Sequence, residues 1–218
     1  MSIGTCAVVE PRNHKALRFV VCNVRKTIPN WPIFVFHGTE NKQWVIDLLH
    51  DIENIYFFEL NVENLSIAQY NQVLTSAIFY ETFQTEYVLI FQTDVMLFPH
   101  SGQVIEDFLG YDYIGANWLW NPSKNGNGGL SLRRIAAMLE HIHNNPYSLD
   151  NCINEDVYFS NAPFKFPNYE LAQRFSVESV YYPTPFGIHK AWSHLEPHEF
   201  PDYCSAILDL VDKQCLVE

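Results

Sequence analysis

The chain has 218 residues, room for one large domain, and its 16 Phe, 12 Tyr and 5 Trp against only 17% charged residues exclude disorder, coiled coil and collagen-like repeats. Thirteen basic and 25 acidic residues give a net charge of -12, and no basic run is longer than Arg133-Arg134, which disfavours nucleic acid or an anionic membrane as partner. Any phosphate group must be held locally, by a metal, by helix N-termini or by a few placed basic residues.

The five cysteines, Cys6, Cys22, Cys152, Cys204 and Cys215, form no C-x-x-C pair and read as reduced thiols of a cytoplasmic protein. No signal peptide is visible, no segment has the ~18 apolar residues of a membrane span, and the sequon Asn64-Leu65-Ser66 reads as chance.

In chain order, Cys6-Ala-Val-Val9 reads as a buried strand, and Leu17, Val20, Val21 and Val24 form the stripe of an amphipathic helix. Ile33 to Phe36 is the second strand, residues 44–49 are helix-compatible, and Ile55 to Leu60 is the third strand. Ser66-Ile-Ala-Gln69 is a capping box that opens a helix running to Glu81 on Ile67, Tyr70, Val73, Leu74, Ala77 and Ile78. Tyr87 to Phe91 is the fourth strand, Ile105 to Leu109 a short helix, Tyr113 to Gly115 a strand and residues 125–129 a glycine-rich turn. Beyond it Ser131 to His143 and Leu171 to Phe175 look helical in a proline-dense remainder. Strands alternating with helices predict one α/β domain, with a nucleotide-binding half over about 1–120 and a loop-rich half over about 121–218.

Ligands of open α/β sheets sit at the carboxyl ends of strands. Glu10-Pro11-Arg12 follows the first strand, with no G-x-G-x-x-G; His37 follows the second, and Gln92-Thr93-Asp94 the fourth. Asp94 lies between two apolar runs, where a carboxylate must be paired or bind a metal unless it serves as a turn or cap.

With Asn127-Gly128-Gly129, Ser131-Leu-Arg133, Asn154-Glu155-Asp156 and Gly187-Ile-His189, these stations resemble the GT-A glycosyltransferases. The closest likeness is to an uncharacterised glycosyltransferase-like family, whose strings are similar to Val8-Val-Glu-Pro-Arg12, Tyr70-Asn71, Phe91-Gln-Thr-Asp94, Gly128 to Arg133, Glu155-Asp156-Val157 and Pro185 to Lys190. The resemblance covers about residues 6–192. It implies a GT-A-like, Rossmann-type fold with a mixed, mainly parallel sheet flanked by helices, and transfer from a nucleotide-diphosphate sugar, a UDP-sugar, to a glycan or other hydroxyl acceptor.

By position in the family, Asp94 and His189 would hold Mn²⁺ or Mg²⁺ on the diphosphate. Gln92 replaces the first acid of the usual Asp-x-Asp turn, so Arg12 and Lys190, otherwise surface residues, are the alternative positive charges. The donor would lie against Val9, Glu10, Arg12, His37, Tyr70, Asn71, Gln92, Thr93, Asp94 and Lys190, with Gly128 and Gly129 admitting its sugar. Asp156 is the expected base of an inverting transfer, and Glu155 the partner of substrate hydroxyls, because neighbours on a helix diverge by ~100°. Arg133 or Arg134 pairs with the diphosphate or an acidic neighbour, or lies on a solvated helix face. Trp118, Trp120 and Trp192 stack on sugars or pack in the core, while His141, His143, His194 and His198 give no convincing second metal site. A catalytically silent sugar- or nucleotide-binding homologue and a nucleotidyltransferase are the alternative functions.

Overall fold

The computed structural model describes residues 2–121, 126–149 and 153–214. Its main sheet contains β1 (Gly4–Val9), β2 (Ile33–His37), β3 (Ile55–Glu59), β4 (Tyr87–Phe91), β6 (Tyr113–Ile114) and β7 (Leu130–Arg134), in the order β3-β2-β1-β4-β7-β6. The first four strands run parallel, whereas β7 is antiparallel to β4 and β6 to β7. This is the mixed, mainly parallel sheet expected.

Every residue of β1 and β4 is buried, as central strands covered on both faces require. Cys6, Val8, Leu89 and Phe91 face α1 (Leu17–Thr27) and α2 (Lys42–Leu49). Ala7, Val9, Val88 and Ile90 face the opposite layer of α3 (Ile67–Leu74), α4 (Ala77–Glu81), α5 (Ile135–Asn144) and α6 (Glu155–Ser160). The alternation of side chains along a strand thus divides the core into two layers.

A second sheet joins β5 (Val95–Leu97), β9 (Gly187–His189) and β8 (Ser176–Val177), β5 antiparallel and β8 parallel to β9. Its register sets Val95 opposite His189, which brings Asp94 beside that histidine.

Three expectations are corrected. The single helix to Glu81 is two: the Thr75 hydroxyl turns back to the carbonyl of Asn71 at 2.7 Å, and Ser76 caps a new helix through the Phe79 N-H. Ile67 and Ile78, assigned to its apolar stripe, are exposed. Ser131 to Arg134 is strand, not helix, because Leu130 and Leu132 face one core layer while Ser131 and Arg133 turn to the other side; the helix starts at Ile135. The proline-dense remainder holds the helix expected at Leu171 to Phe175, α7 (Tyr169–Phe175), and also an unexpected one, α8 (Cys204–Asp212), which buries Ile207 and Leu210. Cys6, Cys22 and Cys204 are free thiols, while Cys152, Cys215 and Asn125 lie outside the described residues. Among the described residues no helix is long and apolar enough to cross a membrane.

Candidate active site

A cavity of about 480 Å³ opens over the carboxyl ends of β1 and β4. This is where the strand order reverses: the chain leaves β1 for β2 and β3, then crosses back to β4. Most of the expected site residues converge there. The β1 end contributes Val9, Glu10 and Arg12, α3 contributes Tyr70 and Asn71, and the segment after β4 contributes Gln92, Thr93 and Asp94. Gly128 and Gly129 form one wall, with Glu155, Asp156 and His189 behind them.

His37 and Lys190 do not line the cavity, contrary to expectation. His37 ends a strand one position removed from the β1 and β4 reversal, and its Nδ1 is engaged by the Gly38 carbonyl at 2.8 Å. Lys190 sits at φ 48° with an exposed side chain, and only its N-H turns inward, to the Asp94 carbonyl at 2.9 Å.

Glu10 is buried and grips Arg12 through the Nε and Nη2 atoms at 2.7 and 2.8 Å. Arg12 is therefore neutralised by its own loop. Gln92 donates to the Tyr70 hydroxyl at 3.0 Å, and Asn71 Oδ1 accepts the Glu155 N-H at 3.3 Å, so α3 braces the first turn of α6.

His189 Nε2 lies 3.3 Å from Asp94 Oδ1, and its Nδ1 lies 3.5 Å from Glu178 Oε1. Neither ring nitrogen nor Asp94 Oδ1 makes an aligned hydrogen bond, although all three atoms are buried. Burial alone would lower the His189 pKa, but the two flanking carboxylates raise it to about 10. Burial likewise opposes ionisation of Asp94, and the imidazole outweighs it to hold that carboxyl below its usual range.

Arg133 is fully buried, not a solvated helix residue, and its acidic neighbour is Glu155: Nη2 donates to Oε1 at 3.0 Å. Its other donors reach Ser131 Oγ and the Tyr80 hydroxyl. Glu155 Oε2 is left buried without a partner, and burial, only partly offset by Arg133, raises the carboxyl to about 7. Asp156 is also raised by burial, against the N-H groups of Val157 and Gly128 that hydrogen-bond to it. The glycine turn follows from these neighbours, since a Cβ on Gly128 would strike Glu155 Oε1 and one on Gly129 would strike the His189 ring.

Trp118 packs under Trp120, their rings 4.7 Å apart, and Trp192 packs against the core; none lines this cavity. Arg134 pairs with Glu86 and Asp112 at the opposite end of β7. His141 packs between Tyr158 and Phe164, and His143, His194 and His198 are exposed.

Three contributors escaped the sequence reading, His14, Glu178 and Gln214, and Asn127, read there only as part of the glycine turn, also takes a place in the site. Asn127 donates to Glu178 at 2.8 Å and accepts the Gly129 N-H at 3.0 Å. Gln214, just past α8, lines the cavity and donates to the Thr93 carbonyl at 2.8 Å. His14 alone carried a signal, its place a few residues beyond a strand end.

Residues 52–189 match the model of a family described as protein of unknown function, DUF5672. The chain belongs to this family. No curated protein sequence matches this DUF5672 chain. Its structure is similar to that of an active-site mutant of LgtC, with TM-score 0.62 and 11% identity over 98% of this chain and 97% of that one. It is also similar to galactosyltransferase LgtC in complex with donor and acceptor sugar analogues, with TM-score 0.56 and 12% identity over the same shares. The apo-form glycosyltransferase GlyE of Streptococcus pneumoniae TIGR4 gives TM-score 0.59 and 10% identity, over 94% of this chain and 62% of that one. At such identities the likeness concerns the fold, and the DUF5672 chain has the GT-A-like fold of these glycosyltransferases.

Proposed function

We propose that the protein is a glycosyltransferase that moves a sugar from a UDP-sugar to a hydroxyl of a glycan or other acceptor, with inversion at the anomeric carbon. The observation that carries this reading is the placement of two acidic groups on either side of one glycine turn. Asp94 and His189 stand at the β4 side, Glu155 and Asp156 at the head of α6, and all four face the same cavity.

The donor set fits a divalent cation. Asp94 Oδ1 and His189 Nε2 are buried and adjacent without an aligned hydrogen bond, and an oxygen with an imidazole nitrogen suits Mn²⁺ or Mg²⁺. Among the described residues no three His, Cys, Asp or Glu side chains converge as a complete ligand set, so the diphosphate would complete the shell. Bound there, such an ion would neutralise charge on the departing nucleoside diphosphate. Glu178, beside Nδ1, orients the imidazole as outer carboxylates do for histidine ligands.

In the transfer, Asp156 accepts the proton of the acceptor hydroxyl as that oxygen bonds to the anomeric carbon. The bond from that carbon to the diphosphate oxygen breaks, and its electron pair leaves with the nucleotide. A pKa raised by burial suits a carboxylate to this task. Glu155 Oε2, buried and unpartnered at the cavity wall, accepts a hydrogen bond from a sugar hydroxyl.

A panel of nucleotide sugars, each with Mn²⁺, Mg²⁺ or chelator, tests the reading by thermal shift and nucleotide release. A UDP-sugar should raise the melting temperature as its concentration exceeds Kd and release UDP when acceptor is supplied. Gln92, an amide where the metal motif has an acid, favours a silent binding homologue as second reading, and stabilisation without release under every acceptor would establish it.

A further inference from the structure

His14 has no assigned part in the reaction, yet it lines the cavity although only 3% of its surface is exposed. It belongs to the loop after β1, which Asn41 pins by donating to the carbonyls of Glu10 and Arg12 at 3.0 and 2.9 Å. The N-terminus of α1 lacks a side-chain cap at Ala16 itself; instead the Ala16 N-H donates to His14 Nδ1 at 3.2 Å. A nitrogen that accepts carries no proton, so the ring is held in the neutral tautomer with its proton on Nε2. Among the described residues Nε2 makes no hydrogen bond to a protein group, while the residue itself borders the cavity.

The surroundings specify what the free N-H can meet. Glu10, Arg12 and Asp94 are the charged groups whose fields reach the ring. Arg12 is committed to Glu10 on two atoms, and His189 lies between Asp94 and Glu178. The cationic charge in this corner is therefore matched by carboxylates of the protein. A phosphate oxygen requires donors, and a neutral N-H supplies one without a counter-charge. A nucleobase edge would instead need donors and acceptors together.

We propose that His14 is a binding residue whose Nε2-H donates to a phosphate oxygen of the nucleoside diphosphate. The proposal rests on the nucleotide-sugar reading and adds a specific contact to it.

Two substitutions separate the ring's two nitrogens. His14→Asn places an acceptor where Nδ1 stands but lacks the reach of Nε2, and His14→Gln reaches the Nε2 position but loses the short acceptor for Ala16. Calorimetric titration with UDP and with uridine, at fixed Mn²⁺, is paired with melting temperatures. His14→Asn should melt like wild type and bind UDP about 10- to 100-fold more weakly, the range for a hydrogen bond to a charged group, with uridine binding changed less than twofold. His14→Gln should melt lower yet bind UDP within a few-fold of wild type. Wild-type UDP affinity in His14→Asn would overturn the proposal, as would equal weakening of UDP and uridine, or affinities that follow melting temperature in both variants. Wild-type protein that binds no nucleoside diphosphate would overturn the nucleotide-sugar reading first and the proposal with it, a result distinct from the other three.

Discussion

Arg133 Nη2 donates to Glu155 Oε1 across 3.0 Å, and neither side chain has appreciable contact with solvent. Removing one partner of such a pair strands a buried charge, which typically costs about 3–5 kcal/mol, whereas removing both costs much less. Arg133→Met should therefore destabilise the fold by that order, and Arg133→Met with Glu155→Gln should recover a large part. Urea unfolding of the two single variants, the double variant and wild type measures the coupling. Additive losses would show that the pair does not act as a unit.

Glu155 also gives the protein a pH signature. Its pKa is about 7 in the fold against an ordinary 4.5, so the folded state holds more protons than the unfolded chain between those values. Stability then falls as pH rises: the contribution is fully present below 4.5 and is lost as pH passes 7. Asp156, raised in the same direction, adds to the decline. Glu155→Gln removes the titrating group and should flatten the slope between about pH 4.5 and 7, measured by urea unfolding at several pH values with chelator present. An unchanged slope would place the decline elsewhere.

The glycine wall is sensitive to a single methyl group. Gly129→Ala would drive its Cβ into the His189 ring, which β9 fixes opposite Val95 and cannot easily move. Overpacking of this kind costs about 1–3 kcal/mol, and the displaced imidazole would leave Asp94. Mn²⁺-dependent thermal stabilisation by UDP should disappear in Gly129→Ala while the variant remains folded by circular dichroism. Retained Mn²⁺ dependence would show that His189 is not needed for the cation.

Much of this arrangement was legible in the chain because the physics was local. β4 reads from five consecutive apolar residues, and Asp94 stands out because a carboxylate falls between that strand and a second apolar run, Val95 to Phe98. Leu130 and Leu132 alternate with Ser131 and Arg133, a strand pattern that runs without a break into the apolar positions of α5, so the boundary at Ile135 was lost. The burial of Arg133 depends on Glu155 and Tyr80, 22 and 53 residues away, and no local pattern encodes that. Glu178 and Gln214 reach the site through the second sheet and α8, from segments whose sequence marks only loop. The rule that ligands sit at strand ends did not show that His37 faces its own loop, because that depends on the strand order.

Asp94 tests the cation itself. Asp94→Asn keeps shape and one acceptor oxygen but removes the charge that faces His189. UDP binding supported by Mn²⁺ should fall to the level that wild type shows in chelator, while the residual metal-free affinity stays the same in both proteins. Calorimetry with and without chelator reads both quantities. If wild type binds UDP equally well in chelator, the diphosphate is held by protein donors alone.

The remaining prediction decides between an enzyme and a silent homologue. Asp156 sits in the first turn of α6, with Oδ1 accepting the Val157 N-H at 2.7 Å, and it faces the cavity that Glu155 shares. Asp156→Asn preserves size and most hydrogen bonding but cannot take a proton, so turnover should fall about 10²- to 10⁴-fold with donor affinity nearly unchanged. Glu155→Gln should instead weaken substrate binding, since its free oxygen meets hydroxyls while its other oxygen is committed to Arg133. Donor affinity, transfer rate and the anomeric configuration of the product, measured for both variants and wild type, separate the two roles. Equal turnover in Asp156→Asn would remove that residue as base. Product that retains the donor's configuration would require a different chemical course, in which one carboxylate or the donor itself supports departure and attack on the same face.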